Sequence, residues 1–202
     1  MSIREKYSAI LLGLGLILAL LPLSGKKSLT ERPSAVLKES FNEDSYLTVD
    51  QVARSIVNDD STIRLIDLRS PEEFNAFSIP GSINAPYKEF LKDPSSFLGK
   101  VPVRNILYSN GDFVSGCAFV AAAGMNFRNV FVMKGGLNEW GNTVMNSIFT
   151  GERITARENA LFETRKRAKQ LFTEFNSLPD SLKLKLAESK RLEKKKLDGG
   201  CE

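Results

Sequence analysis

Histidine is absent from the 202 residues, and cysteine occurs only twice, at positions 117 and 201. Without an imidazole there is no Ser-His or Cys-His nucleophile, no HExxH metal site and no zinc cluster with imidazole ligands. Two thiols cannot close a structural zinc site unaided, and so far apart they give at most one disulfide, not a disulfide framework. No metal and no cofactor is expected. A large charge excess is missing too, since 28 Lys and Arg face 24 Asp and Glu.

The small excess is unevenly placed. Positions 1–150 carry 15 basic and 15 acidic residues, and positions 151–202 carry 13 and 9. The basicity therefore belongs to the last quarter of the chain. A nucleic-acid partner would call for a basic face with interleaved aromatics on the core, and none is expected.

Tyr7 to Gly25 contains no charged residue. As a helix, its 19 residues would span about 28 Å, close to the hydrocarbon thickness of a bilayer. The run has no polar stripe of the kind a core helix carries. Arg4 and Lys6 precede it, but no small-x-small cleavage pair and no lipobox cysteine follows, so positions 1–25 are expected to be a retained signal anchor or transmembrane segment. Lys26, Lys27, Arg32 and Lys38 outnumber the charges before the run, which by the positive-inside rule would keep the remainder in the cytoplasm. A near-N-terminal run behind a positive region is also how export signals look. The expectation adopted is a single-pass membrane protein with its domain outside, in the periplasm. Positions 26–45 mix Lys, Ser, Glu, Pro and Asn with little apolar periodicity and read as a linker.

From Tyr46 onward short apolar runs alternate with helical stretches, the pattern of a parallel sheet covered by helices. Strands are expected at Tyr46–Thr48, Ile63–Leu68, Val103–Tyr108 and Asn129–Met133. Helices are expected at Val49–Asn58, capped by Thr48 with Gln51, at Pro71–Phe77, capped by Ser70, and at Tyr87–Lys92, Phe113–Met125 and Leu137–Met145. In the fourth of these, Ala118, Ala121 and Ala122 are expected to face the sheet. Asn126 should end it in the left-handed conformation. The segment SIPGSINAP reads as a turn.

Four pieces of this stretch, LIDLRSPEEF, FSIPGSINAP, ILYSNGDFVSG and FRNVFVMKGGLNEW, occur in an order and spacing that resembles the rhodanese-like domain family over positions 46–148. The resemblance implies a small parallel-sheet α/β domain with helices on both faces, here joined to an N-terminal transmembrane helix and a C-terminal helical tail. It also implies a loop between a buried strand and the next helix, where a cysteine nucleophile sits among backbone amides that hold the transferred sulfur or an anionic donor. Such a nest favours anions and lowers a thiol's pKa.

The loop falls on Ser109, Asn110, Gly111, Asp112, Phe113 and Val114. Ser109 stands at the family's cysteine, and Val114 where many members place arginine. Asp112 brings a negative charge that opposes an anionic donor. Ser109 has no base to activate it, so its hydroxyl is expected to satisfy loop backbone groups. Asp67 and Arg69 match the family's Asp-x-Arg, and Glu73 lies where it could pair with Arg69. Loop support and a buried structural ion pair are both open for these three. Ser78 takes a position at which many members carry histidine. Cys117, eight positions past Ser109, is expected toward the side or outside of its helix.

Positions 149–202 read as an amphipathic helix and a Lys-rich tail. From Ala156 to Phe175 an apolar side of Leu161, Phe162, Ala168, Leu171, Phe172 and Phe175 opposes a basic side of Arg165, Lys166, Arg167 and Lys169. Such a helix can pack on the domain, lie on anionic lipid or dock a partner. Beyond Pro179 Lys and Glu dominate, and Cys201 follows two glycines. A Lys-rich end finishing near Gly-Gly-Cys, with a loop reading YSNGD, is similar to a subgroup of bacterial envelope rhodanese-like proteins. The expected function is a membrane-anchored pseudoenzyme without thiosulfate-type sulfurtransferase activity that binds an anion or a protein partner. The alternative is a sulfurtransferase or a persulfide or redox carrier that uses the tail thiol Cys201, which takes sulfur from a donor or pairs with Cys117.

Overall fold

The computed structural model describes residues 42–148 and 155–183, with positions 34, 38, 185, 186 and 189 besides. The charge-free run from Tyr7 to Gly25, most of the expected linker, and the Lys-rich stretch with Cys201 lie outside these residues. Among the described residues no helix is long and apolar enough to cross a membrane.

Five parallel strands form one sheet: β1 (Tyr46–Leu47), β2 (Ile63–Asp67), β3 (Ile83–Asn84), β4 (Arg104–Tyr108) and β5 (Val130–Met133), in the spatial order β1-β5-β4-β2-β3. Among the described residues six helices connect and cover them: α1 (Val49–Val57), α2 (Pro71–Ala76), α3 (Tyr87–Lys92), α4 (Asp112–Gly124), α5 (Gly136–Trp140), which runs on into a π turn at Gly141–Met145, and α6 (Ala156–Ser177). The α/β expectation is thus met, with one strand more than expected. Ile83–Asn84 lies inside the segment read as a turn, because two residues are too few to show a period in sequence, yet they pair with Ile66 and Asp67.

The strands alternate between two cores, as a pleated sheet buried on both faces must. Leu65, Ile106 and Met133 join Val52, Leu137, Trp140 and Ala168 under α1, α5 and α6. Ile66, Leu107 and Val132 join Phe90, Ala118, Phe119 and Ala122 under α3 and α4. The buried side of α4 comprises Ser115, Ala118, Phe119, Ala122 and Ala123, whereas Ala121, expected to face the sheet, is only half-buried. Asn126 does take the left-handed conformation, with φ 67°.

Capping boxes start α1 at Thr48 and Gln51, α2 at Ser70 and Glu73, and α6 at Thr155 and Glu158. Of the three roles open to α6, packing on the domain is the one seen. Ala168 is buried, and the Phe172 ring lies 6.2 Å from that of Trp140. Lys166, Arg167 and Lys169 are exposed. Arg165 leaves the basic side, because it turns inward to Asp50 on α1 with two bonds of 2.7 Å.

Candidate functional site

The sheet delivers Ser109 at the carboxyl end of β4, directly before the N-terminus of α4. Ser109 is 6% exposed, and its hydroxyl makes no hydrogen bond among the described residues. The expected tie from Ser109 to loop backbone is therefore not seen. Another serine does that work: Ser115 Oγ donates to the carbonyls of Gly111 and Asp112, both at 3.2 Å. Gly111 is the N-cap of α4 and offers no side-chain cap, which leaves the first-turn N–H groups of the helix for solvent or a ligand.

The loop is held from two sides. After β5, the N–H groups of Leu137 and Asn138 donate to the carbonyls of Ser109 and Asn110, each at 2.9 Å. The Gly135 N–H donates to Asp112 Oδ1 at 2.5 Å. This close seating requires glycine: at Gly136, where φ is +56°, a Cβ would lie 2.4 Å from Ser109 O. From the other side, Asn110 Nδ2 donates to Glu73 Oε1 at 2.9 Å. That bond, with the capping contact to Ser70, holds the Glu73 carboxyl below the usual range.

Glu73 thus binds the loop rather than pairing with Arg69, as its sequence position had suggested. Its place in the first turn of α2 already commits it to the cap of Ser70, and the remaining oxygen meets Asn110. Asp67 and Arg69 form a buried ion pair at 2.7 Å, in which Arg69 Nη2 also donates to the Phe77 carbonyl at 2.7 Å. The Phe77 ring lies 4.8 Å over the guanidinium. Asn84 Nδ2 adds bonds to the carbonyls of Asp67 and Arg69. Tyr108 is fully buried, donating to Ser82 Oγ at 2.8 Å. Burial first, and then the Asp67 charge, push its phenol well above the usual range, so it stays protonated.

Ser78 is buried, and Asn176 of α6 closes it off. The Ser78 N–H donates to Asn176 Oδ1 at 2.9 Å, and Asn176 Nδ2 donates back to the Ser78 carbonyl at 3.0 Å. Cys117 is half-buried beside Tyr87 of α3, whose phenol is raised by burial and then by that thiol. Phe113 is 83% exposed at the mouth of the loop, and Val114 packs against the α3/α4 core. Among the described residues no group of His, Cys, Asp and Glu could hold a metal ion.

The sequence reading missed a cleft of about 470 Å³ beside the loop, walled by Asp50, Asp112, Lys134, Glu139, Thr143 and Arg165. These residues come from α1, the loop, the β5–α5 turn, α5 with its π turn, and α6. No local spacing marks a site assembled from five places.

Residues 48–143 match the family model of the rhodanese-like domain. A thiosulfate:glutathione sulfurtransferase of Saccharomyces cerevisiae is 27% identical over 114 residues, which span 51% of this chain and 81% of the yeast protein. Among solved structures, a Rhodopseudomonas palustris protein of unknown function, described as a possible tyrosine phosphatase, is 25% identical with a TM-score of 0.44, over 57% of this chain and 92% of that one. The rhodanese-like domain of an Anabaena protein is 18% identical with a TM-score of 0.44, over 56% and 92%. A human single-domain sulfurtransferase is 20% identical with a TM-score of 0.43, over 49% and 96%.

Proposed function

We propose that this chain, whose residues 48–143 are a rhodanese-like domain, is a membrane-anchored binding module that takes a small anion or a partner's anionic side chain at the loop Ser109–Val114 and performs no thiosulfate-type sulfur transfer there. The observation that carries the reading is Ser109, almost fully buried where β4 meets the uncapped N-terminus of α4. A hydroxyl cannot become a persulfide, and no imidazole is present to make it a nucleophile. The Asp112 carboxylate is engaged by the Gly135 N–H, which moderates its opposition to an anion at the α4 amides.

A sulfurtransferase assay with thiosulfate and an acceptor thiol, run on the wild type beside Ser109→Cys, tests the loop. The chain with both native cysteines replaced by serine is expected to be inactive, and Ser109→Cys in that background is expected to gain turnover. Thiosulfate sulfur transfer by the cysteine-free chain would falsify this account of Ser109. The anchor rests on the length and composition of Tyr7–Gly25. Carbonate extraction of membranes should retain the full chain and release one lacking positions 1–25. Protease protection in spheroplasts then reads the side, with digestion expected from outside.

A second reading, favoured by one contact, makes Cys201 a sulfur carrier. Lys183 Nζ donates to the Asn75 carbonyl at 3.4 Å, on the same short helix whose Glu73 holds Asn110. The 18 residues from there to Cys201 would reach about 21 to 25 Å as a random coil. The Cys201 thiolate would attack the sulfane sulfur of thiosulfate, forming a persulfide and releasing sulfite. If Cys201→Ser accepts labelled sulfane sulfur as well as the wild type does, this second reading is lost.

A further inference from the structure

We propose that the cleft beside the loop is a second subsite that takes the zwitterionic end of an amino acid or short peptide, while the anionic far end of the same molecule reaches the α4 amides. This rests on the loop being an anion site, and it adds the substrate class. A volume of about 470 Å³ is within the usual range of small-ligand pockets and suits a molecule of this size.

The charges in the cleft differ in what they are free to do. Asp50 and Arg165 are closed onto each other through two bonds of 2.7 Å, and the Arg165 charge also reaches Glu139. Glu139 has one oxygen held by the Thr143 hydroxyl, and Asp112 has one oxygen held by the Gly135 N–H. Each carboxylate keeps a second oxygen. Lys134 is exposed and makes no ion pair among the described residues. An ammonium placed toward Asp112 and Glu139, with its carboxylate toward Lys134, meets opposite charge at both ends. A simple inorganic anion in the cleft meets Lys134 but also two carboxylates, and so gains less than the zwitterion. The cleft thus discriminates by adding an unfavourable contact for the wrong ligand as well as a favourable one for the right ligand.

Asp112 belongs to both places. It is the first residue of α4 and a wall of the cleft, so a ligand anchored in the cleft has the loop beside it. Arg165 lies outside the segment that matches the family, so the appended helix α6 completes a wall that residues 48–143 alone do not have.

Isothermal titration calorimetry on the full chain tests this with three probes: thiosulfate, S-sulfocysteine, and glycylglycine, a zwitterion without an anionic far end. S-sulfocysteine is expected to bind about fivefold or more tightly than thiosulfate, as a partly exposed charge pair would give. Lys134→Gln and Glu139→Gln should each remove most of that preference, with thiosulfate binding unchanged or weaker in Lys134→Gln, which loses a cation, and unchanged or stronger in Glu139→Gln, which loses a carboxylate. If thiosulfate binds and S-sulfocysteine binds no better, or if the preference survives both substitutions, the cleft assignment falls and the loop assignment stands. If thiosulfate fails to bind while glycylglycine binds in a Lys134-dependent way, the loop reading falls and the cleft stands alone. Binding of none of the three overturns both.

Discussion

Asn110 of the loop donates its side-chain amide to the Glu73 carboxylate of α2 at 2.9 Å, across 37 positions of sequence. It joins the loop to the helix that follows the Asp67–Arg69 pair. One carboxylate thereby serves two ends: it caps α2 and holds the loop.

This contact sets a pH dependence. The Glu73 carboxyl lies below its ordinary range because Asn110 and Ser70 favour the ionised form. A carboxyl lowered on folding contributes stability that is fully present above its unfolded pKa and is lost as pH falls through the folded value. Glu73→Gln should therefore lower the melting temperature near neutral pH, and the gap to the wild type should narrow as pH falls below the ordinary glutamate range of about 4.3. Thermal melts of both proteins from pH 7 to pH 3 check it, and a gap that stays constant with pH would refute the linkage.

Two glycines should respond in opposite senses to alanine. At Gly136 the new Cβ would meet Ser109 O at 2.4 Å with φ at +56°, and a loss of about 2 to 4 kcal/mol is expected. At Gly116, inside α4, nothing lies within 4 Å, and alanine should stabilise by about 0.5 to 1 kcal/mol. Urea denaturation of the two variants measures both.

Breaking the buried pair should be costly. Arg69→Met leaves the Asp67 carboxylate buried without its partner, and about 3 to 5 kcal/mol of destabilisation is expected. Combining it with Asp67→Asn should cost less than the sum of the single changes, since neither charge is then stranded. Chemical denaturation of the double-mutant cycle gives the coupling, and strict additivity would show that the pair contributes nothing as a pair.

Trp140 is the single tryptophan and lies 1% exposed against Phe172 of α6. Its fluorescence therefore reports the docking of that helix. Phe172→Ala should shift the emission to longer wavelength and cost about 1 to 3 kcal/mol for a partly buried ring. Asn176→Ala should cost about 1 to 3 kcal/mol through the lost pair of bonds to Ser78, leaving emission nearly unchanged. Emission spectra and denaturation curves separate the two effects.

The amino-acid sequence by itself determined the alternation of strands and helices, the capping residues Thr48 and Ser70, and the position of Ser109 at the end of a buried strand. Those features are local. An apolar run, a hydroxyl three residues before an acceptor, and a residue that tolerates positive φ each leave their mark within a few positions. The partner of Glu73 was not legible, because Asn110 and Arg69 are both polar and only the packing of α2 on the loop chooses between them. The same holds for Arg165, whose helical spacing places it beside Lys166 until Asp50 of α1 draws it inward. The cleft was not legible for a deeper reason. Its walls come from five separate places in the chain, and only the winding of a parallel sheet brings their ends to one edge.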